Sequence, residues 1–341
     1  MSAISITDVH CHLTDTPSEL NLVKESQIHK CIVMSTRPFD QSFVDQAASD
    51  FPDKIIPSFG IHPWFSYLLI SDKEGIAVDI SAEEQKMQHY QNILHPVPPI
   101  EFMEKLPEPI HMNVYLERLR HFLYKHPNAL IGEIGLDKSF RIPSGPYNSR
   151  SSLPQGPLSP YYVNMEHQIE VFEQHMNLAA ELQRPVSIHC VQTYDLLLTL
   201  LKARWEGHWV PSLRKQRENP LWMEAYQQGP LPFPLRICLH SYSGSPEQVE
   251  QFTDRKIPSR VYFSFSEGIN SRYKRFHSLI ERVPKDRLLI ETDHHSANGL
   301  DDLITQAIQH CSTAKSIEID EIRRLTSQNT TEFLNSTDFL P

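Results

Sequence analysis

Two histidines stand two residues apart in Asp8-Val9-His10-Cys11-His12. In an extended strand, side chains two apart leave the same face, so His10 and His12 can offer two imidazole nitrogens to one metal ion. Asp8 falls on that face too, placed to orient a ring. Glu133 lies in Gly132-Glu133-Ile134-Gly135-Leu136-Asp137, between glycines that let other atoms approach a bridging carboxylate. His189 ends Val186-Ser187-Ile188-His189, His240 precedes Ser241-Tyr242-Ser243-Gly244, and Asp293 ends Glu291-Thr292-Asp293. Taken singly, each has an ordinary reading as a buried structural histidine or a surface acid. Taken together they do not. Histidine is 18 of 341 residues, about one position in nineteen, yet four fall at the ends of three strand-like runs. Four histidines, a glutamate and an aspartate converging in space make a site for two divalent ions. The imidazoles favour Zn, whereas an open, carboxylate-bearing site also accepts Mn or Mg.

Convergence needs a scaffold that brings distant strand ends together. Eight short apolar or β-branched runs occur, at 4–10, 31–35, 55–61, 129–134, 185–189, 235–240, 260–266 and 287–292. Several are continuously apolar, as for strands buried on both faces of a parallel sheet. Helical spacing falls between most of them: Tyr115, Leu119 and Phe122; Val171, Leu178 and Leu182; weaker patterns at 195–201 and 279–283; and a last helix over 319–334. This alternation predicts a single-domain (β/α)8 TIM barrel, whose catalytic residues sit at the C-terminal ends of the strands. The whole chain, 1–341, reads as that one barrel, and three segments exceed ordinary connections: 66–111, 141–160 and 206–234. The first two follow strands and should wall the site. The third follows a helix and belongs at the opposite face, as a candidate partner surface or a self-packed loop burying Trp209 and Trp222.

Composition bounds the function. Lys and Arg number 32 against 42 Asp and Glu, a net charge of −10, which excludes a basic nucleic-acid coat or a polybasic membrane anchor. No apolar run approaches the ~20 residues of a membrane span, and the first residues lack the pattern of a secretory signal. Five scattered cysteines (Cys11, Cys31, Cys190, Cys238, Cys311) form no CxxC and read as reduced thiols, implying a cytoplasmic and/or nuclear protein.

The ordered motifs DVHCHL, SFGIHPW, IGEIGLD, PVSIHC, LHSYSGS and LLIETD resemble the TatD family of metal-dependent hydrolases, in the amidohydrolase-like barrel superfamily. The resemblance runs from Asp8 to Asp293; the insertions, together with Leu158-Ser159-Pro160-Tyr161-Tyr162, resemble a fungal branch. It implies that His10, His12 and Asp293 bind one metal, that His189 and His240 bind the other, and that Glu133 bridges them. It further implies that Asp293 takes a proton from the attacking water and that a phosphodiester is the substrate, most simply DNA cleaved exonucleolytically. This chain departs from the family pattern at Val191, where an Arg is common, at His294, where Pro is common, and at Trp64, where the family often shows His-Pro-His. His62 and Trp64 are the candidate substrate contacts, for phosphate and base, with loop capping and packing as their structural alternatives. Glu267 places a further carboxylate near the mouth, and Arg272 and Lys274 are candidate phosphate holders. The expected substrate is a short or single-stranded nucleic-acid end or a small phosphodiester. Two other functions stay open: hydrolysis of a small-molecule ester or amide by the same chemistry, and an interaction protein on a barrel of this type, with a protein partner held by 206–234.

Overall fold

In the computed structural model, residues 4–145, 156–223 and 231–335 are described. Eight strands form one parallel sheet: β1 (Thr7–Cys11), β2 (Lys30–Met34), β3 (Ile55–Phe59), β4 (Leu130–Asp137), β5 (Val186–Val191), β6 (Arg236–Leu239), β7 (Arg260–Phe265) and β8 (Leu288–Ile290). Neighbours in sequence are neighbours in the sheet, the order of a (β/α)8 barrel. All eight expected runs are strands, with ends shifted by a few residues. The described α-helices of seven or more residues are α1 (Gln41–Asp50), α2 (Ala82–Ile93), α3 (Met112–Lys125), α4 (Met165–Leu182), α5 (Tyr194–Trp205), α6 (Pro246–Phe252), α7 (Phe276–Arg282), α8 (Leu300–Lys315) and α9 (Ile319–Asn335), and a 3-10 helix, Pro17–Lys24, follows β1. The sequence reading places one helix after the eighth run, whereas the structure has two. The stripe Leu300, Ile304, Ile308 and Cys311 that buries α8 has ordinary helical spacing.

Two apolar layers follow from the alternation of the strands. Most of the core lies between sheet and helices, with Val33, Phe59, Ile131, Ile188 and Leu239 turned outward into it. A smaller cluster fills the barrel interior: Val9, Ile32, Met34, Leu130, Cys238, Tyr262 and Leu289, joined by Phe333 from α9. Above it, the interior is polar.

The seam between β1 and β8 is closed at its C-terminal end by residues next to the site. Asp293 N–H donates to the His10 carbonyl (3.0 Å) and His12 N–H to that of His294 (2.7 Å). The wholly buried Asp8 carboxylate accepts from Thr292 N–H (3.0 Å), from the Thr292 hydroxyl (2.6 Å) and from His10 N–H (3.2 Å). This corrects the expectation that Asp8 orients an imidazole: its lone pairs hold the barrel shut instead.

The insertions divide between the two faces. In 66–111, Leu69–Ile70 pairs with Ile110–His111, and Leu94–His95 pairs antiparallel with Tyr162–Val163, beyond the 141–160 segment. Residues 146–155 of that segment lie outside the described residues. In 206–234, a short helix Leu213–Glu218 and a turn Pro220–Met223 are described, and 224–230 are not. Val210 N–H donates to the Lys256 carbonyl (2.9 Å), in the connection that enters β7. The described part of this insertion therefore lies against the N-terminal end of the barrel. Trp222 is half-buried against the core, and Trp209 keeps 39% of its surface exposed.

Asp8→Ala should lower unfolding stability by about 2–4 kcal/mol, because it strands buried Thr292 and His10 donors. Asp8→Asn, which keeps part of the set, should cost less. Denaturant titration of both variants checks the order, and equal stability of Asp8→Ala and wild type would contradict it.

Candidate metal centre

Two irregularities in the sheet turn the polar side chains inward. Between β1 and β2 the register passes from Asp8↔Cys31 to Cys11↔Val33, three residues opposite two. This bulge lets Val9 enter the barrel interior while His10, the next residue, also faces inward. A similar shift between β4 and β5, from Ile131↔Val186 to Ile134↔Ile188, surrounds Gly132 and Glu133. Glycine is needed beside it: a Cβ on Gly135, at φ +152°, would stand 1.9 Å from the His189 carbonyl oxygen.

Glu133, 2% exposed, is the centre. Its Oε2 faces His10 Nε2 (3.5 Å) and His12 Nε2 (3.3 Å). Its Oε1 faces His62 Nε2 (3.2 Å), His189 Nδ1 (3.1 Å) and His240 Nε2 (2.8 Å). Asp293 Oδ1 stands 3.3 Å from His12 Nε2 and 3.8 Å from His10 Nε2. The His10 and His240 rings stack at 3.7 Å with 6° between their planes. All eight candidate residues thus meet at one mouth, Trp64 included: with the other seven except buried His10, it lines a cavity of about 430 Å3.

Outer partners hold the rings of His10 and His189. His10 Nδ1 lies 2.9 Å from Ser187 Oγ, a hydrogen bond that holds the ring with Nε2 facing the centre. His189 Nε2 lies 3.2 Å from Asp137 Oδ2, leaving Nδ1 for the centre. Asp137 also accepts Trp64 Nε1–H (2.7 Å). His240 Nδ1 faces Glu291 Oε1 at 3.7 Å, and that oxygen is held by Ser241 N–H (2.7 Å) and the Ser241 hydroxyl (2.6 Å). Sequence reasoning gave no role to Ser187, Asp137 or Glu291. Two of them were within reach of it: Ser187 stands two residues before His189, and Glu291 two before Asp293.

Electrostatics make the centre a cation site. Burial works to raise the Glu133 carboxyl, but the surrounding imidazoles, His62, His240 and His10 foremost, hold it well below its ordinary range. Burial likewise opposes ionisation of Asp293, and His12 and its neighbours overcome it. Burial works to lower His240, and the carboxylates of Glu133 and Glu291 outweigh it, pushing the ring up to about 10. Burial dominates at His62 and holds it at about 4. The fit to metal ions rests on the donors themselves. Buried His10 Nε2 has no hydrogen-bond partner, and donors bound at ~2.1 Å to one ion stand ~3–3.5 Å apart, the range found here. Four groups of three donors lie within 4.8 Å of one another: His10, Glu133 and His240; His10, His12 and Asp293; His62, Glu133 and His189; and His240, Glu291 and Asp293.

His62 caps a loop, one of its two expected readings. Its Nδ1 accepts Trp64 N–H (3.0 Å), capping the turn Pro63–Leu68, while Nε2 faces Glu133. Trp64 stacks on Phe140 at 4.8 Å, so one ring face is already covered. Glu267 does not reach the mouth: His310 Nε2 holds its Oε2 at 2.6 Å on the outer side. Arg272 and Lys274 do not line the cavity; between them Tyr273, 46% exposed, does, and Val191 lines it as an apolar residue. No lysine or arginine is among the described residues that line it. Nor does 66–111 or the described part of 141–160 line it, contrary to expectation. Cys11 and Cys190 turn away from the donors, Cys11 Sγ donating to the Ile32 carbonyl and Cys190 Sγ pairing with the Thr193 hydroxyl, whereas Cys238, two residues before His240, faces the barrel interior below the site with its Sγ against the Ser264 hydroxyl. All five are buried free thiols.

Comparison with known proteins places these features in a family. The model of the family "TatD related DNase" matches residues 7–335. The chain is 52% identical over 341 residues to Cut9-interacting protein scn1 of Schizosaccharomyces pombe, covering 98% of this chain and 99% of that protein. It is 28% identical over 298 residues to the uncharacterized deoxyribonuclease YMR262W of Saccharomyces cerevisiae, covering 85% and 83%. In fold it is similar to YJJV, a TatD homolog from Escherichia coli K12, with a TM-score of 0.58 at 20% identity over 98% of this chain and 99% of that one.

Two measurements follow. Ser187→Ala should weaken metal affinity by about 10–100-fold in competition with a chelating dye, because the His10 ring loses its orienting partner. Apparent metal affinity of the wild type should fall as pH drops from 8 to 6. His240, raised to about 10, carries a proton across that window that a metal must displace, so the loss should be about tenfold per pH unit for each proton released. A flat profile would contradict the ligand role of His240.

Proposed function

This chain belongs to the TatD-related DNase family, and on that premise we propose that it is a two-metal phosphodiesterase, a deoxyribonuclease that trims nucleic-acid ends. One observation carries the reading: the two oxygens of Glu133 face different donor sets, His10 and His12 on one side, His62, His189 and His240 on the other. A carboxylate so placed suits a bridge between two ions, with Asp293 completing the His10–His12 side. Two divalent ions would neutralise charge on the phosphoryl oxygens and acidify the attacking water. Asp293 is the base. Its side chain is 14% exposed to the cavity, and its neighbours keep it ionised at neutral pH, ready to accept the water proton. Water oxygen bonds to phosphorus, the bond from phosphorus to the leaving sugar oxygen breaks, and the proton passes from Asp293 to that oxygen. Trp64, held by Asp137 and Phe140, gives the base an aromatic wall, and His62 stands beside the phosphoryl position.

The absence of lysine and arginine among the described lining residues, with a net charge of −10, points to short or single-stranded substrates. Asp293→Asn should lower kcat by about 10²–10⁴-fold on a short single strand while leaving the thermal transition nearly in place. kcat/KM measured across a salt series should fall with a shallow slope, since few phosphates meet basic groups. A steep slope with a preference for long duplex would reject the substrate class, and full activity of Asp293→Asn the mechanism.

A second role is carried by the relative that its name describes as interacting with Cut9. We infer that this chain also binds a protein partner through 206–234, on the face opposite the site, where Leu213 and Leu221 are 59% and 62% exposed. Leu213→Asp with Leu221→Asp should abolish co-purification of that partner and leave hydrolysis unchanged; loss of hydrolysis would contradict the separation. Buried free thiols suit the reducing cytoplasm or nucleus. Among the described residues, no helix is long and apolar enough to cross a membrane.

A further inference from the structure

A second cavity, of about 960 Å3, adjoins the metal centre, and it is here that the insertion 66–111 does its work. The two cavities share Asp137 and are separated by a ridge made of residues 138–140 and 191–193, where Lys138 N–H donates to the Val191 carbonyl (3.2 Å). On the far side, α2 contributes Gln91 and Asn92, the paired strands contribute His95 and Tyr162, and the turn after β5 contributes Gln192. The side chains of Gln91, Asn92 and Gln192 are exposed to solvent at the cavity and make no hydrogen bond to another described residue. By contrast, the neighbouring amides of Gln168 and Gln248 are occupied by Asp137 N–H and carbonyl and by Ser245 N–H and Asp195.

The ridge itself is cationic. Lys138 is exposed. Arg141 Nη1 donates to the Phe140 carbonyl (2.9 Å), and the guanidinium lies 4.4 Å from the centroid of Tyr162. The arginine is therefore fixed between ridge and cavity, with the tyrosine ring beneath it. Of the two acids that line the cavity, Asp137 is paired with His189 and Asp195 accepts Gln248 Nε2–H (2.7 Å).

We propose that this cavity holds the next nucleotide of a single strand whose scissile phosphate lies at the metal centre. The linking phosphate crosses the ridge beside Lys138 and Arg141, and the base lies against Tyr162 with the unpaired amides of Gln91, Asn92 and Gln192 at its edge. Amides donate and accept, so they meet the edge of any base, and an aromatic face adds stacking without sequence preference. The proposal rests on the nuclease reading and specifies its substrate: an oligonucleotide of at least two residues, gripped away from the metals by a site that 66–111 builds. It explains how a negatively charged protein, with no lysine or arginine among the described residues of its catalytic wall, retains a polyanion.

Two variants outside the catalytic machinery test it. Gln91→Trp fills the cavity from an exposed helix position, and Lys138→Glu reverses the charge of the ridge. Binding of a 5′-labelled single-stranded tetranucleotide is read by fluorescence anisotropy in EDTA, and kcat/KM is read on the tetranucleotide and on bis(p-nitrophenyl) phosphate, which is too small to span the ridge. The expected result is about tenfold weaker binding and about tenfold lower kcat/KM on the tetranucleotide for each variant, with the small diester within about twofold of wild type. Unchanged tetranucleotide binding, or equal losses on both substrates, overturns the proposal. Wild-type turnover of both substrates with no effect of either variant removes the cavity and keeps the nuclease. Tetranucleotide binding that is sensitive to Gln91→Trp, with no metal-dependent turnover, removes the nuclease reading and keeps the cavity.

Discussion

A carboxylate almost wholly removed from water sits at the top of this barrel, and five imidazole rings close around it. An isolated buried carboxylate would be neutralised by protonation, because the cost of stripping its hydration is several kcal/mol or more. Glu133 stays charged because nitrogen atoms of His10, His12, His62, His189 and His240 lie within 3.5 Å of its two oxygens. Two of the rings are anchored from outside, His10 by Ser187 near the start of β5 and His189 by Asp137 at the end of β4, while Glu291 faces His240 at 3.7 Å. The polar construction therefore spreads outward in shells around the carboxylate. The apolar plug of Val9, Met34, Cys238 and Leu289 separates it from the other end of the barrel.

Strand ends supply the centre, while connections decide what reaches it. The turn after β3 brings His62 and Trp64, and the segment after β7 brings Tyr273; together they form a small cavity over the carboxylate. The longer insertion 66–111 passes this opening and spends its residues next door. Binding and chemistry are thereby given to different parts of the chain: rigid strand ends for the reacting atoms, longer connections for what is held beside them.

Most of the barrel was legible because each strand is a short apolar run, and because the ligand-type residues stand at their ends rather than in their middles. The helix α8 escaped despite its stripe, since two helices in succession interrupt the expected alternation of strand and helix. What the sequence could not convey is orientation. Asp8 shares its face with His10 only in an unbroken strand; the bulge before Cys11 cancels that periodicity and sends its carboxylate to Thr292. Glu267 follows a strand end, as a ligand would, yet the local helix Glu267–Asn270 turns it toward His310 on α8, more than forty residues further on. Similarly, 66–111 follows a strand and so belongs to the catalytic face, but which of two adjoining cavities it would line depends on its pairing with Tyr162–Val163.

The order in which the donors occur along the chain has a bearing on its biogenesis. His10 and His12 leave the ribosome first, whereas their closing partners Thr292 and Asp293 follow more than 280 residues later, and the interior plug waits for Phe333. At translation speeds of ~5–20 residues per second, the first histidines spend tens of seconds without the strand that completes their surroundings. During that interval, the nascent chain presents a metal-binding pair and an open sheet edge with no centre to commit them to. Nearly the whole polypeptide must be made before any of the assembled donor set exists, so a truncated product would carry individual ligands yet lack the enclosure that makes them a site.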